Sequence, residues 1–153
     1  MLSGEYRCAL DEKGRLMVPV RVRADVAGRV MVVTRSVDRC LWLFPSDEWR
    51  NVSESLIQST SLLQERDRLV QRRLLAPAQE TEIDRTGRIA IPATLRTYAG
   101  LAKDCTVLGM VKYLEIWDEQ TYAGYLENNE EQFRQATEEL GARGALLGGS
   151  GES

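Results

Sequence analysis

The chain repeats itself once. DEKGRLMVP, beginning at Asp11, returns as DRTGRIAIP beginning at Asp84, 73 residues later and without a gap. The same offset pairs Gly14 with Gly87, Arg15 with Arg88, Pro19 with Pro92 and Arg23 with Arg96. It continues into LWLF from Leu41 over LEIW from Leu114, and sets Trp49 over Tyr122. Self-similarity at a fixed spacing marks duplicated units, and a solenoid needs three or more of them. Two copies therefore point to a pseudo-symmetric pair sharing one core. A unit of about 50 to 70 residues buries only about 60% of its extended surface and is marginal alone. Pairing of the two repeats follows, and 153 residues leave room for it.

Each repeat reads as strand, turn, strand, short helix, two strands, longer helix. In the first, strands are expected over 5–10 and 15–18, with 11–14 as the turn and Gly14 free to take positive φ. Pro19 suits a first helical position, and the helix over 20–26 ends at Gly28. Strands follow over 30–34 and 40–44. Ser46 is the expected N-cap of a helix reaching residue 59. An amphipathic stretch over 62–75, with Arg66, Arg68, Arg72 and Arg73 on its polar side, joins the repeats. The second repeat gives strands over 79–83, 88–91, 106–110 and 113–117. Its short helix, from Pro92 to Ala99, is capped by Gly100, and a glutamate-rich helix runs over 118–139. Domains are thus expected at 1–60, a connecting helix at 61–77, and 78–140. The glycine-rich 141–153 reads as a disordered tail.

Composition narrows the function. The chain has no histidine, the commonest general base and metal ligand. Cys8, Cys40 and Cys105 form no C-x-x-C pair and sit among apolar neighbours, as buried structural thiols do. No catalytic residue, metal site or cofactor is assigned. No apolar run nears the ~20 residues that span a bilayer, and no secretory leader is visible, so the expected place is the cytoplasm, without a membrane partner. Residues 7–39 carry eight basic side chains against four acidic ones, while 113–153 carry two against nine. An anionic partner on the N-terminal side fits that asymmetry. The aromatic set Trp42, Trp49, Trp117 and Tyr122 reads as core or interface packing rather than a base-stacking platform.

The duplicated element is the charged turn. In D-x-x-G-R the carboxylate can accept turn N–H groups or pair with the arginine four positions on. That holds a guanidinium at the tip of a rigid turn, where it loses less side-chain entropy on binding. Lys13 in the first turn and Arg85 in the second add charge. The candidate anion-binding residues are Lys13, Arg15, Arg85 and Arg88, oriented by Asp11, Gly14, Asp84 and Gly87.

With these residues the chain resembles the MraZ family of bacterial transcriptional regulators, within the AbrB-like (SpoVT-AbrB) swapped-hairpin DNA-binding folds. The resemblance runs from GEYRCALDEKGRLMVP through LWLFPSDEW and TEIDRTGRIAIPATLRTYAGL to LEIWDEQTY. It implies an α+β fold in which two tandem AbrB-like repeats of β-hairpin and short helix form one pseudo-two-fold swapped-hairpin barrel with flanking helices. It implies that Lys13, Arg15, Arg85 and Arg88 are DNA-binding residues. It also implies homo-oligomeric rings, of roughly eight or more subunits, that bind double-stranded DNA at direct repeats. Those repeats would lie in the chain's own promoter region, upstream of a division and cell-wall operon, and binding would usually repress it. A nucleoid-associated location goes with that role. Two other non-enzymatic readings stay open: an oligomeric protein scaffold, and a nonspecific nucleoid binder. No nucleophile–base pair or glycine-rich phosphate loop supports an enzyme.

Overall fold

A computed structural model of the chain describes residues 1–144. It separates into two compact units, Met1–Glu119 and the segment from Gln120 onward. The first unit holds strands β1 (Glu5–Ala9), β2 (Arg15–Met17), β3 (Met31–Arg35), β4 (Leu41–Pro45), β5 (Gln79–Thr81), β6 (Arg88–Ala90), β7 (Asp104–Gly109) and β8 (Leu114–Asp118). Its helices are α1 (Val20–Val26), α2 (Ser46–Gln58), α3 (Glu65–Leu74) and α4 (Ala93–Ala99). Two further helices follow, α5 (Glu119–Asn128) and α6 (Glu130–Ala142).

The expected α+β class and tandem repeats are what the chain adopts, and the repeats exchange strands. All ladders are antiparallel, and the main sheet runs β1-β7-β8-β4-β3-β5. The first strand of each repeat thus pairs with the third strand of the other. A separate two-stranded ribbon joins β2 to β6, again across the repeats. Register places a pseudo-two-fold axis through the Leu16–Ile89 and Trp42–Glu115 pairs, because the 73-residue offset maps each of those ladders onto itself. One departure is visible at the edges. Cys8 faces Cys105 in β1–β7, but its counterpart Thr81 faces Met31, one residue short of Val32.

The strands do not close into the expected barrel. The six-stranded sheet ends at β1 and β5, and between β1 and β2 strand pairing shrinks to the single Leu10–Leu16 bridge, so the ladders do not run on from sheet to ribbon. Nor do the strands flanking the Asp11 turn form a hairpin ladder with each other. They part after that bridge because each has a better partner in the other repeat.

Matched positions supply the core. Leu16 and Ile89, Val18 and Ile91, Val22 and Leu95, Val26 and Ala99, Leu41 and Leu114, and Leu43 and Ile116 are all buried. Trp117 is buried as well, and Phe44 packs against Trp42, Trp49 and Tyr113, in keeping with the packing role expected of the aromatic residues. Cys40 and Cys105 are buried and Cys8 half-buried, and burial pushes their thiols up to about 12, 12 and 11 respectively. All three therefore stay protonated at neutral pH.

Helix starts differ in detail from expectation. Pro19 and Pro92 occupy the N-cap with extended backbone rather than the first helical position, and Pro45 stands at the N-cap expected of Ser46. Ser46 is the first helical residue and caps nothing with its side chain. Its N–H is taken by Val30 O at 2.9 Å, while Asp47 and Glu48 complement the positive helix end. Gly100 closes α4 in the left-handed conformation, as read from the sequence. The single helix expected over 118–139 breaks at Asn129, whose side-chain amide donates to Tyr125 O. Of the expected tail, Gly141 and Ala142 finish α6, and positions 145–153 lie outside the described residues.

Candidate nucleic-acid interface

Both charged turns share one backbone design. The Asp11 N–H donates to Arg15 O at 2.8 Å, and Gly14 N–H donates to Asp11 O at 3.0 Å. At the second turn Asp84 donates to Arg88 O at 2.9 Å and Gly87 to Asp84 O at 3.0 Å. Positive φ closes each turn, +79° at Gly14 and +89° at Gly87, a conformation an L side chain rarely takes. The two turns are then stitched together reciprocally: Val18 N–H donates to Gly87 O, and Ile91 N–H donates to Gly14 O. Strand exchange therefore brings the two basic loops side by side.

The aspartates hold the turns from inside. Asp11 Oδ1 accepts the backbone N–H groups of Lys13 and Arg15, and its Oδ2 accepts Arg15 Nε at 2.8 Å. The same Oδ2 receives Arg88 Nη1 from the other turn at 3.3 Å. Asp84 Oδ1 accepts the N–H groups of Thr86 and Arg88 and the Thr86 hydroxyl. Arg88 Nε donates to Thr86 Oγ1 at 2.8 Å and stands 3.7 Å from Asp84 Oδ2. The Arg15 backbone N–H, more than its guanidinium, holds the Asp11 carboxyl below its usual range. Donation from Arg88 N–H and Thr86 brings Asp84 down to about 2. Both carboxylates are charged at neutral pH.

Arg15 and Arg88 thus converge on one carboxylate, each about 30% exposed. Lys13 and Arg85 stand in solvent beside them. Arg15 spends only its Nε on Asp11, which leaves the outer nitrogens of its fork for a ligand.

A second arginine pair sits at the turns that the sequence did not assign to the site. Arg23 of α1 lies over Gly87, and Arg96 of α4 lies over Gly14; a Cβ on either glycine would run into the guanidinium. Arg96 Nη1 also donates to Ile91 O. The signal was present in the matched arginines at the 73-residue offset, but nothing local shows that a helix side chain crosses to the opposite repeat's turn. Five guanidiniums (Arg15, Arg23, Arg85, Arg88 and Arg96) and the Lys13 ammonium belong to the paired turns or cover them, against the three carboxylates of Asp11, Glu12 and Asp84. The arrangement suits an anion with many oxygens.

Comparison with known proteins shows the family. The MraZ family model, described as "MraZ protein, putative antitoxin-like", matches twice, at residues 1–73 and 74–144. The chain belongs to the MraZ family. It is 48% identical over 143 residues to the transcriptional regulator MraZ of Treponema denticola, covering 94% of this chain and 99% of that one. To the protein of the same name from Treponema pallidum it is 46% identical over 138 residues, 90% of this chain and 93% of the relative. Regulation of transcription is the function that these relatives carry in their names. Among the described residues no helix is long and apolar enough to cross a membrane.

Proposed function

We propose that this MraZ-family chain is a sequence-specific DNA-binding regulator that reads duplex DNA with its paired turns. The observation that carries the reading is the convergence of Arg15 and Arg88 on Asp11 Oδ2 from two different repeats. Guanidiniums already anchored in this way lose little freedom on binding; the outer nitrogens of Arg15 present the fork that matches guanine edges or phosphates, while Arg88, with Nη1 on Asp11, offers its Nη2. Lys13 and Arg85, exposed on the flanks, would meet the backbone and set position, leaving base readout to Arg15 and Arg88. Asp11, Gly14, Asp84 and Gly87 hold them in place.

We further propose that copies join head to tail in a closed ring. Successive subunits of such a ring meet direct repeats in DNA, which a two-fold dimer would not match. Linking several weak sites raises avidity by ~10²- to 10⁴-fold without new contacts. The target would be direct repeats upstream of the chain's own gene in a division and cell-wall operon, with repression as the outcome.

Fluorescence anisotropy on the upstream duplex and a shuffled duplex, across a salt series, tests this. Tight binding to the upstream duplex should fall to the shuffled level in the Arg15→Ala/Arg88→Ala variant. Undiminished specific binding by that variant would overturn the assignment. Equal, steeply salt-dependent binding to both duplexes would replace it with a nonspecific binder, and no binding to either with a protein scaffold.

A further inference from the structure

We propose that Arg35, Arg39 and Arg73, gathered around Tyr98, form a second anion site that takes a phosphate group. The three guanidinium carbons lie 5.0, 5.9 and 6.0 Å from the centre of the Tyr98 ring. They arrive from separate places: the end of β3, the β3–β4 turn and the last turn of α3. The ring itself is fixed, because its hydroxyl lies 3.0 Å from Ser36 O and 2.9 Å from Asp38 O, both in the β3–β4 turn.

Three guanidiniums meet at one ring here without a carboxylate in ion-pair contact. Arg7, Arg15, Arg29, Arg88 and Arg134 each have an acidic partner. Among the described residues none of Arg35, Arg39 and Arg73 has one, and the Nε of Arg35, like that of Arg23 at the turns, is buried without an acceptor. The ring's negative face can attract a guanidinium but does not neutralise three of them. An oxyanion does both jobs: it cancels the repulsion and accepts N–H groups from several forks at once.

The fold does not require the cluster. At the 73-residue offset Tyr98 corresponds to Asp25, Arg35 to Leu108 and Arg39 to Lys112, so the other half builds the same elements without it. The site is also distinct from the turns. On α4, Tyr98 comes two residues after Arg96, about 200° around the helix. Arg96 covers Gly14, whereas Tyr98 is tied to the β3–β4 turn. Arg39 and Arg73 are exposed and reachable. The phosphate could belong to a DNA backbone or to a small free ligand; the chemistry of capture is the same.

The test uses the full chain, the Arg39→Gln/Arg73→Gln variant and the Arg15→Ala/Arg88→Ala variant. Melting is followed in sodium phosphate and in sodium chloride at matched ionic strength. Phosphate stabilises most proteins by exclusion, so the difference between variants is what counts. A phosphate-dependent rise in Tm that is lost in Arg39→Gln/Arg73→Gln but kept in Arg15→Ala/Arg88→Ala supports the site and a free ligand. In the second arm, duplex binding is measured against salt. A log–log slope shallower by about 0.9 for each phosphate that Arg39→Gln/Arg73→Gln no longer neutralises supports the site and a DNA backbone source. If neither quantity moves, the three arginines only pack on Tyr98 and the proposal is overturned. Should the wild type bind no duplex, the turn assignment fails, and the phosphate arm alone decides this one.

Discussion

The two charged turns have the same backbone hydrogen bonds and different side-chain wiring. In the first, Lys13 points to solvent and Asp11 carries Arg15 and Arg88 together. In the second, Thr86 stands where Lys13 would, gives its hydroxyl to Asp84 and receives Arg88 Nε. That rerouting turns the Arg88 Nη1 across the molecular axis toward Asp11. The frame is thus kept in both copies, while the turns differ at 12/85 and 13/86 and the two arginines share one carboxylate. The first turn acts as the hub and the second as its dependent.

The sharpest way to examine the shared frame is through the core under it. Leu16→Ala and Ile89→Ala empty matched positions on the axis, and each should cost about 3 kcal/mol by chemical denaturation. If one costs far less than the other, the symmetry of the core is only apparent. Next in size come the glycines. Gly14→Ala and Gly87→Ala force an L residue into positive φ and push Arg96 or Arg23 aside, and each should lose about 1 to 3 kcal/mol. Duplex affinity should fall with them, because the covering arginine moves. The smallest effect separates the hub from its dependent. Asp11→Ala should lower Tm more than Asp84→Ala, since it releases two guanidiniums instead of one. Both carboxyls titrate below their ordinary value near 3.8 in the fold, so their contribution is complete above that pH. It is lost as pH falls, in Asp84's case through about 2. An acid melt of Asp84→Ala that tracks the wild type throughout would remove the turn carboxylate from the account.

Much of this was legible in the sequence because the relevant physics is local. Gly14 and Gly87 announce positive φ, the prolines announce helix starts within one position, and Asp11 and Asp84 announce turns closed by their own carboxylates. The alternation of Leu16 with Val18 and Ile89 with Ile91 marks buried faces without reference to partners. Strand partners were another matter. Whether β1 pairs with β2 or with β7 depends on which distant edge packs better against it, and no local pattern states that. The open sheet in place of a barrel, and the crossing of Arg23 and Arg96 to the opposite turn, were hidden for the same reason. The Tyr98 cluster was hidden more deeply, since its residues come from four segments and the repeat matches Tyr98 and Arg35 with Asp25 and Leu108.

The exchange of first strands has a consequence for how the molecule comes apart. β1 completes the half of the sheet built by the second repeat, and β5 completes the half built by the first. Melting of either half therefore strips an edge strand from the other. Residues 1–119 are thus expected to unfold as a single cooperative event, and a chain severed between α2 and α3 should yield fragments that regain order only by finding each other.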